Sequence, residues 1–177
     1  NSMTYSKYSD MVTDIIKEEV PLFEKTSIDE FYADMTGMDR FFGCAKLAGE
    51  VRQKIIRETG LPNSFGLSVN KTVSKIATGE AKPNNQLEIV RGLEKPFLAP
   101  LSVRKIPMVG AKTYQTLRNL GIQHIKTVQE MPMEMMQNVL GEHGRALWKK
   151  ANGIDNSPVI AFNERKSIST ERTFDRD

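Results

Sequence analysis

Leu22-Phe23-Glu24-Lys25-Thr26-Ser27-Ile28 and Phe31-Tyr32-Ala33-Asp34-Met35 are two extended stretches, with Asp29 and Glu30 between them and Thr36-Gly37 closing the second. Aromatic and β-branched residues bounded by turn signals predict a hairpin, and its two carboxylates fall at the bend. Neighbours on a strand point to opposite faces, so Asp29 and Glu30 serve one site only where a strand ends or bends. Carboxylates converging at such a place suit a hard cation, because Mg²⁺ takes oxygen ligands and fills its shell with water and substrate phosphate. Paired ions held this way carry out phosphoryl transfer. Taken alone, an Asp-Glu pair at a hairpin is more often a solvated turn.

Working outward, Met11, Val12, Ile15 and Ile16 recur at helical spacing between Tyr8 and Glu19, and Pro21 ends the pattern. Residues 39–59 form a second helical pattern through Phe42, Ala45, Leu47, Ala48, Val51, Ile55 and Ile56, with Gly60 at its C′ position. A strand is predicted over 63–69, a helix over 71–81 capped by Asn70, a turn at Pro83-Asn84-Asn85 and a strand over 86–90. This order predicts an α+β fold with a mixed sheet and helices on one face. Beyond Gly92 the texture changes: Gly110, Gly121, Gly141, Gly144 and Gly153 punctuate short helical pieces, and no strand-like alternation returns before Ser157. The expected organisation is a mixed domain over 1–92, a small all-helical domain over 93–153 and an extended linker over 154–177.

With 39% hydrophobic and 27% charged residues in 177, the composition is that of a soluble globular protein. No apolar run approaches the roughly 20 residues that cross a bilayer. Asn1 to Lys7 lacks the apolar core and cleavage site of a signal peptide, so a cytoplasmic protein with no membrane partner is expected. The single cysteine, Cys44, excludes an internal disulfide and a thiolate-rich zinc site, and His124 and His143 are too few for a His/Cys cluster. The net charge of +3 conceals an asymmetry. Residues 1–60 carry 8 basic against 11 acidic side chains, whereas residues 100–150 carry 8 against 3. A local basic excess is the footprint of phosphate contact, and also of a merely solvated basic face.

Ser27-Ile28-Asp29-Glu30-Phe31-Tyr32-Ala33-Asp34 is followed by Phe65-Gly66-Leu67-Ser68-Val69-Asn70-Lys71, then by Lys75-Ile76-Ala77 and Ala81-Lys82-Pro83-Asn84. In this order the motifs resemble the Y-family (translesion) DNA polymerases, nearest to their DinB branch. The resemblance runs over nearly the whole chain. It implies part of a polymerase palm up to about residue 91, a thumb to about 153, and a linker toward the little finger, whose beginning Arg165 to Phe174 also resembles. It further implies that Asp29 and Glu30 are the catalytic acids holding two Mg²⁺ ions at the primer end and the incoming triphosphate. No position matches the family's third metal-binding acid, on the first palm strand, or its fingers. Asp34 belongs to the family pattern and reads as structural.

The same resemblance sets Lys82 on the triphosphate of the incoming nucleotide, where an ammonium offsets charge on the phosphates. Without the motif, Lys82 reads as a lysine at a helix C-terminus. Ser68, Asn70, Lys71 and Lys75 match the block that orders the palm and meets the DNA backbone near the primer terminus. Ser74 stands where relatives often have an apolar residue.

Ile106-Pro107-Met108-Val109-Gly110-Ala111-Lys112-Thr113, with Leu117, Leu120, Gly121 and Ile122 behind it, resembles a helix-hairpin-helix motif. Its tight turn would deliver backbone N–H groups and a helix N-terminus to a phosphate, through Val109, Gly110, Ala111, Lys112 and Thr113. Such contacts fix position without reading bases. The motif usually has a further glycine where Met108 stands, and a purely structural αα-hairpin is the alternative. Gly141-Glu142-His143-Gly144-Arg145 is a second such turn, with Gly144 and Arg145 as contacts and Lys149 and Lys150 adding charge. Trp148, Met131, Met133, Met135 and Met136 read as packing, His143 as a surface residue and Cys44 as a buried helix position.

The implied activity is template-directed nucleotidyl transfer from a dNTP to a primer 3′ end during damage bypass. Its partners are primer-template DNA, the dNTP and, through regions not matched here, a sliding clamp; in a bacterium the protein would be nucleoid-associated. The chain by itself is expected to be inactive. Two other readings stand beside this one: a non-catalytic module binding the DNA backbone through its helix-hairpin-helix, and another palm-type two-metal enzyme such as a nucleotide cyclase. The cyclase leaves the basic helical part and the Lys82 block unexplained.

Overall fold

A computed structural model describes residues 2–38 and 43–163, in two compact units. The expectations for 39–42 and for 165–174 fall outside the described residues. Of the described residues, 2–38, 43–62 and 158–163 form the first unit and 63–157 the second.

In the first unit helix α1, Ser2–Glu19, begins a turn and a half earlier than periodicity predicts and buries Ile15 and Ile16. After Pro21, β1 (Leu22–Ser27) pairs antiparallel with β2 (Glu30–Asp34), leaving Ile28 and Asp29 as the connection. Lys25 faces Phe31 and Ser27 faces Glu30, so Thr26 is an extra residue in β1, a bulge. Helix α2, Cys44–Thr59, packs on α1, and Lys54 ties the two through Glu18 at 3.2 Å and Glu19 at 2.8 Å. Gly60 ends α2 at φ 74, a left-handed cap that favours glycine. Cys44 is half-buried at the start of α2, where its thiol donates to the Met35 carbonyl, rather than lying in the core. The extended segment 158–163 lies along β1: Phe162 N–H donates to the Phe23 carbonyl at 2.9 Å and the two rings stack 5.2 Å apart.

In the second unit β3 (Phe65–Leu67) runs parallel to β4 (Gln86–Glu88), joined through helix α3, Lys71–Ala81. The described strands therefore form two two-stranded sheets, one per unit. Gly66 explains the closeness of this packing. A Cβ there would stand 2.4 Å from the Ser74 carbonyl oxygen and 2.6 Å from the Ala77 Cβ, so α3 rests directly on the β3 backbone. Helices α4 (Glu94–Leu98), α5 (Ala111–Asn119), α6 (Ile125–Glu130), α7 (Met133–Leu140) and α8 (Glu142–Ala151) follow, with a 3₁₀ turn at Val103–Lys105. Their buried Leu98, Val103, Leu117, Val128, Met136 and Leu147 form one core with Val73 and Ile76 of α3. Trp148 packs as expected and donates its indole N–H to the Met131 carbonyl at 2.8 Å. Met135 does not: it is 49% exposed, while its neighbour Met136 is fully buried. The two consecutive positions fall on different faces of α7.

Gly144 permits a second close approach, since a Cβ there would lie 2.0 Å from the Met136 carbonyl oxygen on α7. Backbone cannot yield as a flexible side chain does. Gly66→Ala and Gly144→Ala are therefore each expected to destabilise the protein by about 2–3 kcal/mol, seen as a lowered thermal midpoint. An unchanged midpoint would show that the helices separate at little cost.

Candidate functional site

At the hairpin, Asp29 sits in the two-residue connection and Glu30 opens β2, so the strand alternation that would separate them does not apply. The bulge at Thr26 shapes this tip. Thr26 Oγ1 donates to Glu30 Oε2 at 2.8 Å, and Ser27 Oγ donates to Asp29 Oδ1 at 2.9 Å. Asp29 is exposed and Glu30 half-buried. Asp34 closes β2 instead: its Oδ1 accepts the Thr36 N–H at 2.9 Å, and hydrogen bonds from the Thr36 side chain and backbone hold its carboxyl below the usual range. Among the described residues no three His, Cys, Asp or Glu side chains come together as a metal cluster. Asp29 and Glu30 nonetheless fit the donor set of Mg²⁺, which commonly takes one or two carboxylates and completes its shell with water and phosphate oxygens.

Helix α3 carries three of the expected lysines: Lys71 in its first turn, Lys75 exposed one turn on, and Lys82 exposed at its exit. The Lys82 N–H donates to the Thr78 carbonyl at 3.1 Å, and the peptide to Pro83 is cis. Ser68 and Asn70 are engaged within the protein. Ser68 Oγ lies 2.7 Å from Ser74 Oγ and donates to the Asn70 carbonyl, which gives Ser74 a polar partner. Asn70 caps α3, its Oδ1 accepting the Val73 N–H at 2.9 Å, while its Nδ2 donates to the Gly153 carbonyl at 2.8 Å.

That last bond leads to residues no motif indicated. Asp155 Oδ2 accepts from the Thr72 N–H at 3.1 Å and from its hydroxyl at 2.7 Å, and the other oxygen accepts from the Ser157 hydroxyl and N–H. Lys150 donates to Thr72 Oγ1 at 3.2 Å. The expected charge of Lys150 at the second glycine turn is thus directed to Thr72, because α8 ends beside α3. Burial raises the Asp155 pKa, but the Ser157 and Thr72 hydrogen bonds and the Lys150 charge outweigh it and hold the carboxyl below its ordinary range. The only sequence signal was Asp155 two residues before Ser157, a side-chain-to-backbone turn pattern.

At the first glycine turn, the Val109 N–H donates to the Ile106 carbonyl at 3.1 Å, with Pro107 second and Met108 third at φ 101. That third position of a type II turn favours glycine, so Met108 occupies the glycine conformation without being one. Gly110, Ala111 and Lys112 are exposed at the start of α5. Thr113 Oγ1 lies 3.4 Å from His143 Nε2, which brings the first turns of α5 and α8 side by side. Arg145 is exposed there and His143 is on the surface as expected. Gly144 is buried, with its N–H donating to the Gly141 carbonyl at 3.0 Å, so its part is to allow the crossing of α7 and α8.

Residues 1–79 match the impB/mucB/samB family, and residues 104–155 match the thumb domain of DNA polymerase-iota. The whole chain is 38% identical to a DNA polymerase IV of Dehalococcoides mccartyi, covering 46% of that protein. It is also 38% identical over 98% of its length to the DNA polymerase IV of Streptomyces coelicolor, covering 37% of it. Among solved structures, that of a Dbh ternary complex matches 91% of this chain and 49% of its own at a TM-score of 0.81, with 25% sequence identity. The chain spans about half the length, or less, of the relatives it matches.

Asp155 receives the second amide of α3, at the positive end of the helix dipole. Asp155→Ala is expected to cost about 1 kcal/mol at pH 7. A carboxyl whose folded pKa lies below 3.8 contributes fully above that value and loses its contribution as pH falls through the folded pKa. The stability gap between protein and variant, followed by urea unfolding from pH 7 to about pH 3, should therefore narrow only at the acid end. A gap constant over that range would assign the loss to packing.

Proposed function

Since the chain belongs to the Y-family DNA polymerases, in their DinB-like branch, we propose that it carries the acidic hairpin and the DNA-gripping thumb of an enzyme that extends primers during damage bypass. The observation that carries this reading is the occurrence in one chain of two elements in family order: a hairpin tip bearing Asp29 and Glu30, and the turn opening α5 at 106–113. In this reading residues 1–92 belong to the palm, 93–153 form the thumb and 154–177 lead toward the little finger. The common core of 63–157 then couples α3, a palm helix, to the thumb helices.

Asp29 and Glu30 would hold Mg²⁺, which when bound neutralises charge on the attacking oxygen and the triphosphate. The remaining work belongs to this chain's residues. Thr26 and Ser27 orient the two carboxylates by hydrogen bonds to them. The Lys82 ammonium, carried on the exit of a well-packed helix, offsets negative charge on the incoming dNTP. Lys71 and Lys75 meet the primer-template backbone, with Ser68 and Asn70 fixing the start of their helix. Backbone amides of Gly110 to Thr113 with Lys112, set in place by the turn that Val109 closes, and Arg145 at the adjacent turn, grip phosphates further along the duplex. Primer-template DNA and dNTP as partners accord with the ternary complex of the Dbh relative. A cytoplasmic, nucleoid-associated setting and a sliding clamp, engaged outside the residues discussed, complete the reading.

A second reading is a non-catalytic module that holds the DNA backbone through the exposed turn opening α5. The two are separated by activity. The 177-residue chain alone should not extend a primer with Mg²⁺. Grafted in place of the matching segment of the Dehalococcoides mccartyi relative, it should support extension, and Asp29→Asn or Glu30→Gln should then reduce the rate about a thousandfold or more with duplex binding retained. Extension persisting in both variants would remove the metal assignment. For the thumb, log K for a duplex should fall linearly with log salt, and Lys112→Gln should reduce the slope by about 1. Affinity that is flat with salt would contradict phosphate contact.

A further inference from the structure

Beyond the glycine turns, one cationic cluster has no part in the reading above. The Arg104 guanidinium carbon lies 4.7 Å from the centroid of the Tyr114 ring, and that of Arg118 lies 5.8 Å from the same centroid. Both arginines are exposed and the ring is half-buried. Among the described residues neither guanidinium has a carboxylate within ion-pair distance, whereas adjacent Lys105 lies 3.7 Å from Glu80. Two like charges converging on one ring repel, and exposed guanidiniums on a half-buried ring gain only a modest attraction each. An anion between or beside them removes the conflict.

The cluster is also rigid and aligned. Val103 beside Arg104 is fully buried, Ser102 forms a bridge with His124, and Ser102 Oγ accepts the Arg104 N–H at 3.2 Å. Tyr114 N–H makes the first helical bond of α5, to the Gly110 carbonyl at 2.9 Å. Gly110, Tyr114 and Arg118 are spaced four residues apart and so share one face of α5. Eight residues of helix rise about 12 Å, whereas phosphates of one DNA strand advance about 3.4 Å along the duplex axis. A duplex seated on the 106–113 turn therefore has further phosphates within reach of this face. Guanidinium, a planar fork that stacks on rings and donates to phosphate oxygens, is the cation suited to both roles.

We propose that Arg104 and Arg118, held on the Tyr114 ring, form a second phosphate-binding station on the thumb unit, for the phosphodiester backbone of duplex DNA. The proposal rests on the thumb reading and extends the grip along α5 from its N-terminus toward its last turn. A structural role alone, Arg118 facing the C-terminal dipole and both arginines covering the ring, would affect stability and leave salt dependence untouched.

The test uses the full 177-residue chain and a fluorescent duplex of about 20 base pairs, with anisotropy measured across a series of salt concentrations. Arg104→Gln with Arg118→Gln should weaken low-salt binding about tenfold and reduce the log K against log salt slope by about 1 to 2. Tyr114→Phe should behave as wild type and Tyr114→Leu as a weakened form of the arginine pair. A control pair, Lys95→Gln with Lys126→Gln, removes the same charge elsewhere on the unit and should leave the slope unchanged. Thermal midpoints read alongside identify any variant that unfolds; single substitutions at Arg104 and at Arg118, each expected to lower the slope by about 1, then replace the pair. An unaltered slope in the folded arginine variants, while Lys112→Gln still weakens binding, overturns the station and leaves the turn reading standing. An equal drop in the lysine control also overturns it. No duplex binding by the wild-type chain overturns both.

Discussion

The side chain of Asn70 closes the second unit on itself. One end caps α3 through the Val73 N–H, and the other holds the Gly153 carbonyl, 83 residues away in sequence. A cap alone is worth about 1 kcal/mol; a cap that also anchors the end of the last helix fixes the helix and the chain's exit together. Asp155 repeats the arrangement two residues beyond Asn70, joining Thr72 to the segment after α8, with Lys150 completing the chain of hydrogen bonds. The start of α3 is therefore set by groups from both ends of the unit, and Lys71 and Lys75 project from a helix whose origin has little freedom.

The hairpin tip meets a different constraint, that of freeing two neighbouring carboxylates from strict strand alternation. A regular two-stranded ladder would send Asp29 and Glu30 to opposite faces. Placing Asp29 in the connection removes it from the ladder, and the extra residue at Thr26 lets β1 meet Glu30 with its hydroxyl. Bulges are enriched beside active sites because they redirect side chains where alternation forbids it. Along the outer side of β1, Phe162 covers Phe23 and bonds to its carbonyl, so an edge that would otherwise expose backbone groups is partly satisfied.

Much of this is legible in the sequence, for identifiable reasons. The span of α3 and its Asn70 cap, the αL glycine at 60 and the acidic bend follow from local chemistry, in which a residue's preference and its immediate neighbours decide the outcome. The α5 turn was legible as a motif, and its geometry adds that Met108 adopts the glycine conformation at φ 101. What escaped was non-local. Nothing near Asp155 or Lys150 in sequence points to Thr72, and the bulge at Thr26 depends on how its partner strand is aligned. Gly144 reads in sequence as a glycine at a turn, and its close approach to the Met136 carbonyl depends on how α7 crosses α8. The packing of Met135 failed for a related reason, since four methionines near one another in sequence do not share a helix face.

The second unit has one shared core. Val73 and Ile76 of α3 are buried with Leu117 of α5 and Leu147 of α8, so the helix that bears the lysines at 71 and 75 and leads to Lys82, and the turn at 106–113, belong to one packed body. Packed interiors transmit displacement instead of absorbing it. In the proposed enzyme, a duplex phosphate that moves the start of α5 must then move α3 with it, and with α3 the lysine meant for the nucleotide. Grip on the product duplex and alignment of the incoming triphosphate would in that enzyme be coupled through this shared core.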